Sequence, residues 1–336
     1  MKRCGLFKKH SEIVILLIIM VAVILIMSAL NPTRFMKLSN FQSMAFQMPE
    51  LGLLSLAMMI TMLSGGINLS IISSANLSGI ITAIILIKYA TPKAGSLTVV
   101  PFILTAIAAG FAVSIVIGLA NGLLIARVGV SPILATLGMM TFVNGLTIVT
   151  TGGYTLSGFP PSIAFIGNGV IAGFPMPLLI FIACSLLLSL VLNRMALGFD
   201  IYMLGSNWLA TLFSGVNNAA VLIKTYLISG LLAGAASLIM ISRFNSAKSG
   251  YGEGYLLITI LAAVLGGTST TGGFGKVSGL VIALIILQII SSGLNLMGVS
   301  AFFTLSMWGL IIILVMAANF ISVKYQQKKR KTFKRV

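Results

Sequence analysis

Ten apolar blocks, separated by short polar or glycine-rich connections, make up most of the chain: residues 13–30, 51–63, 69–90, 97–126, 133–150, 175–192, 221–241, 255–265, 277–296 and 302–323. A helix rises 1.5 Å per residue, so about 20 apolar residues cross about 30 Å of hydrocarbon. The second and eighth blocks are too short for that. Each runs into a glycine pair, Gly65-Gly66 or Gly266-Gly267, followed by small hydroxylated residues. The pattern predicts an all-α polytopic membrane protein of about ten transmembrane helices, two of them short or broken at the glycine pairs. It predicts one transmembrane domain over 1–336, with basic tails at 1–12 and 324–336.

The longest interruption that carries both signs of charge is 193–224, with Arg194, Asp200 and Lys224. It is too polar for hydrocarbon and too short to fold alone, so it reads as a loop offered to a soluble partner. Composition agrees with the membrane reading: 58% of residues are apolar, 7% are charged, and mean hydropathy is +1.14. A soluble domain carries about 25% charge. The net charge of +17 does not indicate nucleic acid, because the basic residues sit at the ends of the blocks. With the N-terminus in the cytoplasm, 15 of the 21 Lys and Arg residues fall inside, as the positive-inside rule requires for an even number of spans. The first block follows a basic segment without a small-residue cleavage site and reads as an uncleaved helix. The basic C-terminal run sets topology and meets anionic membrane lipid.

A helix can stop at membrane depth only where protein or a water-filled cavity receives its free backbone groups. The segments 64–79 and 265–279 read as such interruptions. Their glycines let the chain turn, while Asn68, Ser70, Asn76, Thr268 and Ser269 offer amides and hydroxyls to a polar solute. The plainer reading makes them helix-packing residues or connecting turns. The run ending Gly275-Lys276 fails the phosphate-loop pattern twice, at Thr270 and at Val277. An ATPase driving transport must therefore be another chain. One histidine, His10, and two separated cysteines, Cys4 and Cys184, build neither a triad nor a metal site. Glu50 and Glu253 fall at the predicted ends of spans, where a solvated or helix-capping role is expected.

Taken in order, GGINLS (65–70), NGLLIARVGVSPILATLGMMT (121–141), GLTIVTTGG (145–153), GSNWLATLFSGV (205–216), YLISGLLAGAASLIMISR (226–243), AAVLGGTSTTGGFGKVSG (262–279) and SGLNLMGVS (292–300) resemble the permeases of ribose/xylose/arabinose-type ATP-binding cassette importers. The resemblance runs from about residue 51 to 320. It implies a permease in the bacterial inner membrane, multi-pass, with both termini cytoplasmic. The implied partners are a second permease copy or a homologous permease, cytoplasmic ATPases that bind ATP and Mg, and a periplasmic sugar-binding protein. No cofactor is implied in this chain.

The resemblance also implies that Gly205, Asn207, Ala210, Ser214 and Gly215 form the loop that couples to the ATPase, with Asn207 as N-cap and Gly215 as C-cap. The reading of the two broken spans places the candidate solute pathway by Gly65, Gly66, Asn68, Ser70, Asn76, Gly266, Gly267, Thr268 and Ser269. Three departures remove charge. Asn68 stands where the family has aspartate, Leu256 and Ile258 replace two acidic residues, and Trp208 to Leu212 replace a charged run. Pairing with a non-identical permease would accommodate them. The expected function is ATP-driven import of a monosaccharide or related small neutral solute. The alternatives are an ion-coupled secondary carrier, a permease for a nucleoside, and a membrane enzyme acting on lipid.

Overall fold

The computed structural model describes residues 4–89, 96–300, 302–314 and 317. The basic tail 324–336 lies outside them. Eight helices are long and apolar enough to cross a membrane: α1 (Cys4–Leu30), α2 (Leu38–Leu63), α3 (Ile71–Tyr89), α4 (Ser96–Leu123), α5 (Pro132–Thr151), α7 (Met176–Arg194), α10 (Asn218–Phe244) and α12 (Val277–Leu296). Two shorter apolar helices, α11 (Tyr255–Leu265) and α13 (Phe302–Leu314), complete the set among the described residues. Three short helices lie in connections: α6 (Pro161–Asn168), α8 (Ala196–Ser206) and α9 (Trp208–Phe213). The chain is thus an all-α, multi-pass membrane protein, with four two-residue strands among the described residues: β1 (Leu156–Ser157), β2 (Val170–Ile171), β3 (Phe174–Pro175) and β4 (Ser246–Ala247). β1 pairs with β4 and β2 with β3, both antiparallel.

Burial separates a centre from a periphery. In the spanning part of α2, 89% of residues are buried, against 11% in α1. α10 packs against α2, α3 and α4 and forms the middle of the bundle. Its contact with α4 depends on small residues. A Cβ at Gly118 would sit 2.6 Å from the Tyr226 carbonyl oxygen, and one at Gly230 would overlap the Ser114 carbonyl. Gly118 and Gly122 on one helix and Gly230 and Gly234 on the other repeat at four-residue spacing, which lets two backbones approach where lipid gives no hydrophobic drive. Exposed Leu134, Leu137 and Phe142 of α5 and Ile182, Leu186 and Leu190 of α7 are the chemistry of a lipid-facing surface.

The second span differs from its expected length. The apolar block 51–63 is the second half of α2, a helix of 26 residues, about 39 Å long. Its first half is polar on one side, and that side has partners. Ser292 of α12 donates to Asn40 Oδ1 at 2.6 Å, and Gln288 donates to Gln47 Oε1 at 3.5 Å. Satisfied in this way, polar residues can enter a helix at membrane depth. The eighth block stays as short as its apolar run, at 11 residues.

Candidate functional site

One end of the bundle is built from the glycine pairs. α2 ends in a turn in which the Gly66 amide donates to the Thr61 carbonyl at 3.0 Å, and α11 ends in its counterpart, Thr268 N–H to the Ala263 carbonyl at 2.8 Å. The residue before each donor, Gly65 at φ +87° and Gly267 at φ +84°, is left-handed. A glycine adopts that conformation without the steric cost a side chain brings. Two sequence-distant helices therefore end in one and the same turn.

Gly205, near the end of α8, meets both of these loops. The Gly273 amide donates to the Leu63 carbonyl at 2.9 Å. A Cβ on Gly205 would overlap that same carbonyl and the Gly273 amide nitrogen, and a Cβ on Gly272 would come within 2.8 Å of the Gly65 amide nitrogen. Tyr202, one helical turn earlier, donates to the Gly275 carbonyl at 2.9 Å. The C-terminus of α8 is thus wedged, backbone to backbone, between the loops that follow α2 and α11.

α9 follows directly. Asn207 caps it, its Oδ1 accepting from the Ala210 amide at 3.0 Å, as its residue type predicts. Ser214 closes the helix, its hydroxyl donating to the Ala210 carbonyl at 2.8 Å. Gly215, at φ +81°, takes the left-handed position one residue beyond it. Trp208, Leu209, Leu212 and Phe213 are exposed on this helix, Phe213 to 86%. Asn218 of α10 donates to the Trp208 carbonyl at 3.0 Å, so α9 is fixed to the central helix as well.

Behind the first glycine pair lies a buried polar network. Asn68 donates through Nδ2 to the Ser229 hydroxyl at 3.0 Å, and Ser229 donates to the Ala57 carbonyl at 2.9 Å. Asn68 Oδ1 accepts from the Ser70 amide at 3.1 Å and the Ser70 hydroxyl at 2.8 Å, and Asn121 donates to that hydroxyl at 2.8 Å. Four helices, α2, α3, α4 and α10, are joined through one buried asparagine. The departure from the family's aspartate now has a physical account: Asn68 must donate on one side and accept on the other, which an ionised carboxylate cannot do.

The remaining pathway residues separate. Gly266 is pressed against the first turn of α12, where a Cβ would lie 2.7 Å from Leu280. Thr268 is 1% exposed with its hydroxyl unpartnered. Ser269 pairs with Thr271 at 2.9 Å. Asn76 stands apart from both glycine loops, midway along the contact of α3 with α10.

The opposite end, where β1 meets β4, holds a group that the sequence reading misassigned. Glu50 is neither solvated nor a cap. It lies near the middle of α2, 1% exposed, with Arg243 of α10 at 2.8 Å and the Tyr255 hydroxyl of α11 donating to its Oε1 at 2.7 Å. Its Oε2 has no hydrogen-bond partner. The guanidinium also rests over the Phe244 ring, 5.1 Å from its centroid, and Asn168 of α6 donates to the carbonyls of Ser242 and Arg243 at 3.2 and 3.4 Å. A signal was present in the sequence: Asn40, Ser43, Gln47 and Glu50 recur every three or four residues, a polar stripe on a helix that starts before the apolar block.

Comparison with known proteins fits this arrangement. Residues 40–318 match the family described as branched-chain amino acid transport system / permease component. The chain is 33% identical to the ribose import permease protein of Bacillus subtilis over 87% of each chain. It is 34% identical to that of Escherichia coli K12, covering 90% of this chain and 92% of the relative. The D-allose transport system permease protein of Escherichia coli K12 is 30% identical over 90% of this chain and 89% of its own. No solved structure matches. On the extent of these matches, the chain belongs to the family of transport-system permease components, and its sequence relatives there are permeases of sugar importers.

Proposed function

We propose that the chain is the permease subunit of an ATP-driven, binding-protein-dependent importer, and that it passes a monosaccharide or related small neutral solute across the bacterial inner membrane. ATP and Mg are bound by a separate cytoplasmic ATPase, and solute is delivered by a periplasmic binding protein. A second copy, or a homologous permease, completes the pathway. The glycine end is cytoplasmic, as are both termini and the basic tails 1–12 and 324–336.

The observation that carries this reading is the wedge at Gly205. An exposed, apolar, capped helix, α9, stands beyond it, while its other side touches the loops that terminate α2 and α11. An ATPase that grips α9 and moves it shifts the two glycine loops through Asn207, the single extended residue that joins α9 to α8. Gly205, Asn207, Ala210, Ser214 and Gly215 are the coupling element. Gly65, Gly66, Gly266 and Gly267 are the joint it acts on, with Asn68, Ser70, Thr268 and Ser269 along the pathway beside it and Asn76 farther along α3. The family's description names branched-chain amino acids; a sugar is preferred because relatives 33% and 34% identical over most of the chain carry ribose in their names.

The test is uptake into proteoliposomes that hold the permease with its ATPase and saturated binding protein. Ribose and allose accumulation that requires ATP and survives collapse of ion gradients is expected. Accumulation driven by an ion gradient without ATP would overturn it. Cysteine placed at Ala210 should cross-link to the ATPase; capture through a different loop would displace the coupling assignment.

A further inference from the structure

The connection between α10 and α11, residues 245–254, folds back onto the bundle, with Ala247 buried and Asn245, Lys248, Glu253 and Gly254 exposed. Ser249 shares a 2.7 Å hydrogen bond with Thr147, about 22 Å along α5 from its start and a turn short of its end. Ala247 is buried in the cluster that contains Ile80 and Ile241. Below this connection, between it and the α3–α10 contact, is a small cleft of about 10 Å³ lined by Asn76, Gly79, Ser237, Lys248 and Tyr251 among others. That is room for one water-sized group. Its floor is deep. Leu77, next to Asn76, packs with Val143, which lies about 17 Å along the roughly 30 Å of α5. Solute sites of transporters lie near this depth, where irregular backbone lines a cavity.

The cleft offers both donors and acceptors, and one buried donor in it lacks a partner. Asn76 is 6% exposed and its Nδ2 has no acceptor. Lys248 is exposed, with its ammonium 5.0 Å from the centroid of the Tyr251 ring. As an exposed residue on the lining of the cleft, Lys248 presents its ammonium to water there. No carboxylate lines the cleft. We propose that this cleft is where the permease itself holds its solute: Asn76 and Lys248 donate to hydroxyl oxygens of a neutral polyol, one hydroxyl entering the cleft. This rests on the reading of the chain as a sugar permease. The grip is small by design of the space, so it sorts solutes by the presence of one hydroxyl and releases them readily.

The experiment uses the complete complex in proteoliposomes, with binding protein saturated, and compares ribose and allose with their single deoxy analogues. Wild type should carry the parent sugar faster than the analogue lacking the held hydroxyl. Asn76→Ala should lower uptake of the parent about fivefold, the weight of one hydrogen bond, and leave that analogue unchanged, so the preference disappears. Lys248→Met, at an exposed position where folding is not at risk, should weaken the same preference. As a readout free of transport, Lys248→Cys in a chain with Cys4 and Cys184 changed to serine should react with a membrane-impermeant thiol reagent, and saturating sugar should slow the reaction. Equal loss for parent and all analogues, no loss at all, an unreactive cysteine, or a reaction rate indifferent to sugar would each overturn the proposal. A complex that carries no sugar would overturn the function first, and the cleft with it.

Discussion

The two ends of the bundle solve one problem, joining α2, α10 and α11, with opposite materials. At the glycine end the joint is backbone against backbone: Gly205 on the Leu63 carbonyl and Gly273 hydrogen-bonded to that same oxygen. At the strand end the joint is made by side-chain tips, with Glu50, Arg243 and Tyr255 meeting across three helices. Backbone contacts have no rotamers to adjust, so they pass displacement on. Side-chain contacts can open and re-form as the helices shift. Under the proposed function, force enters at the glycine end and the structure yields at the strand end.

The largest effect should come from breaking the side-chain joint on one side. Removing one partner of a buried pair leaves the other charge uncompensated, typically at 3–5 kcal/mol. Arg243 keeps 21% exposure, so Glu50→Leu should cost about 3 kcal/mol in thermal unfolding in detergent. Replacing both partners, Glu50→Leu with Arg243→Leu, should restore most of that. If the double variant is no better than the single, the pair is not the joint.

Gly205→Ala tests the other end. Overpacking costs about 1–3 kcal/mol, and here the added methyl meets backbone that cannot swing aside, so coupled transport should fall more than stability does. Gly145→Ala, on α5 with open space around it, is the matching control and should change neither. Equal behaviour of the two glycines would abolish the contrast between the ends.

The Asn68 network sharpens the comparison further. Asn68→Asp restores the family's residue but removes the donor to Ser229, which must then turn its proton away from the Ala57 carbonyl. We expect a loss of about 1–2 kcal/mol, the weight of one buried hydrogen-bonding group left unpaired. A gain in stability would refute this account of the departure. Smallest on stability is Phe213→Ser: at 86% exposure it should shift unfolding by less than about 0.5 kcal/mol, while weakening capture of the ATPase.

How much of this was legible beforehand follows the physics of each element. Runs such as those of α7 and α12 announce themselves, because lipid and core both demand apolar residues. The cap of α9 at Asn207 was also readable, since capping is local chemistry. The first half of α2 was not, because Asn40, Ser43 and Gln47 lower the mean hydropathy of a segment whose polar face is met by α12. The partner of Glu50 was hidden for a different reason: Arg243 and Tyr255 come from elements far along the chain. Which residues touch Gly205 is likewise a property of packing alone.

The shortness of α11 has a mechanical corollary. At 11 residues it covers about 17 Å, little more than half the thickness its neighbour α2 traverses twice as generously. On the proposed coupling, a displacement delivered at Gly205 reaches a helix that crosses only about half of the roughly 30 Å of hydrocarbon.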